Sequence, residues 1–474
     1  MAISKEELIR KYVRAIHDGN AAVFAGAGLS RPSGFVDWKG LLRPLASDIG
    51  LNVDKEHDLL SLAQFYKNKK GDGSSVSQEI LNAFSKDVNL NDNIKILSRL
   101  PIYTYWTTNY DELLESGIRE AHRKPDVKSD FKRLPITLHD RDAVVYKMHG
   151  DVNDPADAVL TKSDYEQYSS NYPMFRTVLE SDIVSKTFLF IGFSFEDPNF
   201  DYILGQVHLL LGEEVREHFC FSKRVQESDY SDMEEYKYDY KKQDMQEDNL
   251  KRYGIQTVFV DSWDEITEIL CDIEKAVKQK NVFISGSADE FETPWTKTIA
   301  EEFAGRLSAE LIRCDCRITT GFGLGIGSSV VNGALDVIYN EKFQHVDENL
   351  RIRPFPQNIM DPKERKTRWK KYREDMLDET GISIFIFGNK KNSAGNIVEA
   401  DGCIQEFEIA VDKGNIIIPV ASTGYAARSI FNRVKADIDN YSYLKSYLGV
   451  LENETDVNKL IDAIKEIVRN QMIS

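Results

Sequence analysis

The stretch Val23-Phe-Ala-Gly-Ala-Gly-Leu-Ser30 decides the reading of the first half of the chain. Its apolar start belongs to a β-prone run from Ala21 to Ala25, which ends directly on glycines and a serine placed to cap a helix. A strand that turns at once into a helix through glycine lets backbone N–H groups approach a pyrophosphate. The third glycine of Gly-x-Gly-x-x-Gly is missing, since position 31 is Arg, and no Walker A ending of Gly-Lys-Ser/Thr occurs. Taken alone, the stretch fits a tight turn without a ligand as well as a nucleotide site.

Working outward, short β-branched or aromatic runs recur at Tyr103 to Thr107, Ala143 to Met148, Thr187 to Ile191 and Thr257 to Val260, separated by longer helical patterns. Such alternation predicts βαβ units around a mostly parallel sheet. Ahead of them, Leu8, Ile9, Tyr12, Val13 and Ile16 follow helical spacing behind early acids, which reads as an amphipathic helix and not as a signal peptide. From Lys223 to Arg252 the chain is strongly charged and tyrosine-bearing, the pattern of a solvated helix. After a helical pattern over Ile266 to Lys280 the alternation restarts at Asn281-Val-Phe-Ile-Ser-Gly-Ser287. Strands are predicted at Val282 to Ser285, Arg317 to Thr320, Ile382 to Phe387 and Ile416 to Val420, with helices over Trp295 to Ile312 and Ile404 to Asp412. The fold class is therefore α/β, with two Rossmann-like, doubly wound domains of mostly parallel sheet at 1–280 and 281–474.

A chain of 474 residues is too long for one core and suits two or three domains. Lys+Arg 60 against Asp+Glu 77 gives a net charge of −17, which disfavours broad attraction to nucleic acid or anionic membrane. The most apolar run, Thr187 to Phe193, is far shorter than the roughly 20 residues that span a bilayer, so a cytoplasmic location is expected. Cys220, Cys271, Cys314, Cys316 and Cys403 are scattered, without a Cys-x-x-Cys pair, so reduced thiols and no metal site are expected.

Three more segments end predicted strands: Thr107-Thr-Asn-Tyr-Asp111, Lys147-Met-His-Gly-Asp151 and Ile191-Gly-Phe-Ser-Phe195. In an open α/β sheet ligands bind outside the carboxyl ends of strands, so four such turns can converge on one crevice. Their order resembles the sirtuin family, where a Gly-Ala-Gly-x-Ser loop, a Thr-x-Asn-x-Asp turn, a His-Gly pair and a Gly-x-Ser turn enclose NAD. That resemblance implies that Ala25, Gly26, Ala27, Gly28 and Ser30 line the phosphates, and that Asn109 and Asp111 hold the nicotinamide ribose. It makes His149 the base and sets Gly192 and Ser194 on the adenosine side. The chemistry suits these residue types. Nicotinamide leaves NAD as a neutral amine without a strong acid, and an imidazole of pKa about 6.5 can take a proton near neutral pH. Such general-base help is worth about 10²- to 10⁴-fold. The four-cysteine zinc module of deacetylating sirtuins is missing from the sequence. Asp151-Val-Asn-Asp-Pro155, Val159 to Tyr168 and Gly192 to Asn199 instead resemble the sirtuin-like domains of bacterial defence proteins, which hydrolyse NAD.

In the second half, Arg317-Ile-Thr-Thr-Gly-Phe-Gly-Leu-Gly-Ile-Gly-Ser-Ser329 runs from a strand through Gly321, Gly323, Gly325 and Gly327 into a helix. With Ser285-Gly286-Ser287 and Asp401-Gly-Cys-Ile-Gln-Glu406 it resembles the SLOG group of nucleotide-sensing domains. A predicted helix from Asp361 to Thr380 carries seven Lys and Arg residues, and such a run is usually a solvated face. Arg373 and Lys390 are singled out as phosphate partners and Glu406 for ribose hydroxyls. A sirtuin-like half joined to a SLOG half resembles the effectors of the bacterial Thoeris antiphage system. The resemblance implies NAD as substrate and a cyclic ADP-ribose isomer as activator, made by a TIR-domain synthase on infection. It also implies a homo-oligomer of four subunits or more. Two alternatives stay open: a sirtuin-type deacylase or ADP-ribosyl transferase, and a non-enzymatic nucleotide-binding scaffold.

Overall fold

The computed structural model describes residues 3–71, 74–212, 214–341, 345–356 and 358–472. The chain forms two compact units, Met1–Glu274 and Lys275–Ser474, and the boundary falls in the sequence of the helix Asp264–Gln279.

In the first unit, β1 (Ala21–Ala25), β2 (Thr104–Thr107), β3 (Pro125–Lys128), β4 (Ala143–Lys147), β5 (Thr187–Ile191), β6 (His218–Lys223) and β7 (Ile255–Val260) form one sheet in the order β3-β4-β2-β1-β5-β6-β7. Every pairing is parallel. The central strands β1, β2 and β5 are buried along their whole length, as strands covered by helices on both faces must be. Phe24, Phe188, Phe190 and Phe200 fill one face of this core. The first helix, Lys5–His17, is capped by Ser4 and lays Leu8, Ile9, Tyr12, Val13 and Ile16 against the unit, with the Tyr12 hydroxyl donating to Ala22 O at 2.9 Å. The charged helix Met233–Lys251 buries only Glu247, in keeping with a solvated element.

The second unit holds β8 (Asn281–Ser285), β9 (Arg317–Thr320), β10 (Leu350–Ile352), β11 (Ile382–Ile386) and β14 (Ile416–Val420) in a parallel sheet ordered β10-β9-β8-β11-β14. A short antiparallel hairpin of β12 (Asn389–Lys391) and β13 (Ile397–Glu399) follows β11. Two doubly wound α/β units are thus present, with β3, β6, β10 and the hairpin beyond the strands expected from sequence. In each sheet the chain runs outward to one side and then returns to the other side of its first strand, β1 or β8. This reversal opens a crevice at the carboxyl ends of the strands.

Candidate active site

Register brings the four turns of the first unit together. Ala25 pairs with Thr107 and with Ile191, and Thr107 pairs with Lys147. The residues that follow each strand therefore emerge side by side over β1. The glycines let two of these turns touch. Gly26 N–H donates to Ile191 O and Gly28 N–H to Gly192 O, both at 2.9 Å. A Cβ on Gly26 would stand 2.3 Å from Gly192 O, and one on Gly192, at φ +65°, 2.2 Å from Leu29 N. Only glycine permits that approach.

A cavity of about 360 Å³ opens beside this contact, bordered by Ala27, Gly28, Ser30, Asn109, Asp111, His149, Gly192 and Ser194. Ala25 and Gly26, expected along the phosphates, stand behind the wall: Ala25 is fully buried and its carbonyl accepts from the Thr107 hydroxyl. Ser30 ends the single helical turn Ala27–Ser30 and stands at the N-cap position of the 3-10 turn Arg31–Ser33, but its side chain makes no capping bond there. Its hydroxyl donates to Asp111 Oδ2 at 2.8 Å. Asn109 Nδ2 donates to Gly26 O and to Ser30 Oγ, each at 3.0 Å, and Asn109 N–H to the Thr107 hydroxyl at 2.9 Å. These bonds fix the amide plane at the edge of the cavity.

Beneath the turn, fully buried Lys147 holds the loop by donating to Tyr110 O and Asp111 O at 3.1 and 2.7 Å. Glu115 at 3.1 Å and Asp151 at 2.7 Å balance its charge. Burial pushes the Asp111 carboxyl above its usual range, against the bond from Ser30. His149 is buried, and desolvation pushes its imidazole below the usual histidine range while Asp197 acts in the other direction. The apolar side of the cavity includes Trp38 stacked on Tyr165, with centroids 6.0 Å apart. Trp38, Tyr165 and Asp197 border the cavity although sequence reading assigned them no role. Asp197 precedes Pro198, and an aspartate before a proline reads first as a helix N-cap, which it also is.

In the second unit a cavity of about 480 Å³ is bordered by Ser285, Gly286, Ser287, Gly321, Gly323, Arg373, Lys390 and Glu406. Gly325 and Gly327, expected at the same site, do not border it. Their missing side chains relieve backbone contacts instead: a Cβ would meet Ala288 O at 1.9 Å or Phe322 C at 2.6 Å. Arg373 is the one basic residue of its helix, Pro362–Asp378, that is buried. Its Nε donates to Glu406 Oε1 at 3.3 Å, and Glu406 Oε2 accepts from the Ser285 hydroxyl at 2.6 Å. The Arg373 guanidinium lies 4.6 Å from the Phe355 ring centroid, with Trp369 alongside at 5.9 Å. Lys390 pairs with Asp401. Both cations expected to meet phosphate are therefore already partnered in this state.

Comparison with known proteins follows the same division. Residues 103–258 match the family described as SIR2-like domain, and residues 265–471 match the Sir2- and TIR-associating SLOG family. A Bacillus cereus (strain MSX-D12) protein named NAD(+) hydrolase ThsA is 45% identical over 470 residues, covering 98% of this chain and 98% of its own. Proteins of the same name from Enterococcus faecium and Acinetobacter baumannii (strain 532279) are 41% and 40% identical, covering 99% and 98% of each chain respectively. The chain belongs to the ThsA family. As a ThsA-family chain it carries both parts of that architecture, the SIR2-like unit with Asn109 and His149 and the SLOG unit with Arg373 and Glu406.

Proposed function

We propose that this chain is an NAD hydrolase whose second unit receives the activating signal. The observation that carries the reading is the convergence of Asn109, Asp111 and His149 on one cavity at the reversal point of the first sheet. The name NAD(+) hydrolase borne by relatives along the whole chain supports it.

In this reading NAD lies with its nicotinamide ribose over Asn109 and His149 and its phosphates along Ala27, Gly28 and Ser30. Its adenosine passes Ser194 into an adjoining cavity of about 380 Å³, which shares Phe193, Ser194 and Glu196 and is closed by Gln243, Glu247 and Trp263. The bond between the nicotinamide nitrogen and ribose C1′ breaks, and its electron pair stays on nicotinamide, which leaves neutral. Water held by Asn109 adds to C1′ and loses its proton to His149, giving ADP-ribose. A neutral imidazole is the form that performs this step, and burial favours it.

The second cavity would bind a cyclic ADP-ribose isomer, with phosphates exchanged onto Arg373 and Lys390 and a ribose hydroxyl onto Glu406. A signal of this kind works only by binding the active arrangement more tightly than the resting one. We further propose a cytoplasmic homo-oligomer of four subunits or more, coupled to a TIR-domain synthase through the diffusible nucleotide and not through nucleic acid or membrane. Among the described residues no helix is long and apolar enough to cross a membrane. The test is nicotinamide release from NAD by the purified chain, with and without each cyclic ADP-ribose isomer. Release that rises with one isomer is expected. No release under any condition would sink the hydrolase reading and favour a nucleotide-binding scaffold.

A further inference from the structure

His149 is held by two side chains from other elements. Its Nδ1 lies 3.4 Å from the Tyr165 hydroxyl, that hydroxyl lies 3.3 Å from Asp197 Oδ2, and the same carboxylate oxygen stands 3.3 Å from His149 Nε2. His149 follows β4, Tyr165 sits in the helix Lys162–Asn171, and Asp197 closes the loop after β5. All three are buried and all three border the cavity. His149 Nε2 is buried and has no hydrogen-bond partner, so Asp197 Oδ2 is close to it but off the line of an N–H bond, and a reactant reaches Nε2 only when its cover shifts on binding.

The other oxygen of Asp197 is committed elsewhere. Oδ1 accepts from Asn199 N–H at 2.9 Å and Phe200 N–H at 3.0 Å, capping the helix Pro198–Leu211. That cap anchors the carboxylate and needs one oxygen only. The second oxygen is not used by the cap; it accepts from the Tyr165 hydroxyl and stands against the histidine.

We infer that Asp197 and Tyr165 are positioning residues that set the tautomer of His149 and stabilise the proton it takes up. The Tyr165 hydroxyl donates to Asp197 Oδ2 and accepts from Nδ1–H of His149. The imidazole then carries its proton on Nδ1 and its lone pair on Nε2, the nitrogen found without a partner. When Nε2 removes a proton from water or a ribose hydroxyl, the imidazolium forms 3.3 Å from a fixed carboxylate. A carboxylate that offsets the charge of a histidine base is a general device of catalysis, although here it stands beside the nitrogen that takes the proton and the tyrosine holds the opposite one. The other groups near the ring are accounted for: Tyr168 packs edge-on at 6.1 Å, and Lys147 is neutralised by Glu115 and Asp151. Asp197 is thus the charge that acts on His149, and it opposes the effect of burial.

The inference rests on the reading of this cavity as the place of NAD cleavage. Asp197→Asn retains a helix-capping oxygen and removes the charge. With the full chain, under the nucleotide condition that gives wild-type its highest nicotinamide release, kcat is expected to fall about tenfold to a hundredfold while KM for NAD stays nearly constant. The acidic limb of the kcat profile is expected to move to lower pH, because the base loses the carboxylate that raises its pKa. A lower Tm with an unmoved limb would reduce Asp197 to a helix cap and overturn the inference. Tyr165→Phe keeps the stacking on Trp38, and its expected result is a lower kcat at unchanged Tm; wild-type kcat in this variant would remove the tyrosine from the relay. A readout independent of turnover is nitrogen NMR of the chain labelled at histidine, with His149 assigned by its loss in His149→Ala. The Nδ1–H tautomer is expected in wild-type and a mixture in Tyr165→Phe, whereas Nε2–H in wild-type would overturn the proposal. Should wild-type release no nicotinamide, the hydrolase reading fails while this spectrum still decides the tautomer.

Discussion

In the first unit the cavity opens where the turns after β1 and β5 touch through Gly26, Gly28 and Gly192. In the second it opens where the turns after β8 and β9 touch through Gly286 and Gly323, with a Cβ on Gly323 only 1.8 Å from Gly286 O. The backbone device is shared, and the side chains around it differ in kind. The first cavity gathers a buried histidine and an amide held by Gly26 and Ser30. The second gathers charges already joined in pairs, Arg373 with Glu406 and Lys390 with Asp401, beside Phe355 and Trp369. A buried histidine kept neutral at neutral pH suits the proposed proton uptake, whereas paired charges and aromatic faces suit exchange with a nucleotide. Fold sets the place, and the grafted side chains set the task.

The comparison breaks first under substitution of the working residues. His149→Ala is expected to lower nicotinamide release by about 10²- to 10⁴-fold with unchanged thermal unfolding. Arg373→Gln is expected to abolish nucleotide binding to the second unit, measured by calorimetry. Equal losses of both properties in both variants would erase the division of labour.

Next come the glycines. Gly192→Ala and Gly323→Ala are each expected to destabilise their own unit by about 3 kcal/mol, since each Cβ would overlap backbone that cannot move aside. Gly395→Ala is the control: its φ is +80° but no atom lies within 4 Å of the added Cβ, so about 1 kcal/mol is expected. Thermal unfolding of the three variants separates crowding from backbone conformation.

The pH dependence sharpens the contrast further. Because burial lowers the His149 pKa, the imidazole proposed as the base stays neutral on the acid side of the ordinary histidine range. The kcat profile should therefore be flat through neutrality and fall only below about pH 6.5. A limb above that value would contradict the environment assigned to His149.

The smallest effect concerns stability. His218 is buried, accepts from Phe188 N–H through Nδ1, and is pushed down to about 3. Its unfolded pKa is about 6.5, so the unfolded chain binds the extra proton between these values. Its contribution is complete above the unfolded pKa and is lost as pH falls from there toward 3. The lone histidine of the second unit, His345, is exposed. Acid titration followed by unfolding should weaken the first unit in this window, and His218→Asn should flatten the loss.

Much of this was legible in the chain. The runs at Ala21, Thr187, Arg317 and Ile416 are continuous apolar or β-branched segments bounded by turns, so their strands were found with correct ends. The strand β3 escaped notice because it opens on a proline and carries Asp126 and Lys128, whose burial rests on their pairing at 2.9 Å, on Arg141 beside Asp126 and on the Ile136 carbonyl that accepts from Lys128. The strand β6 starts on His218, whose burial among Phe188 and Phe190 no local pattern announces. At the site, Asn109, Asp111, His149, Gly192 and Ser194 were legible as strand-end residues and do share a cavity. Trp38 and Tyr165 were given no role in the sequence, and their stacking is a product of folding.

By itself the sequence determined the kinds of element, the turns that end them and the residues those turns present. Periodicity, β-branching and glycine act over a few neighbouring residues, and that range is enough. Only the tertiary structure decided that β1 lies between β2 and β5, that Asp197 stands against His149, and that Arg373 is spent on Glu406. Those facts depend on strand order and parallel register across long connections. They depend equally on burial, which shifts the charge state of a side chain through everything packed around it.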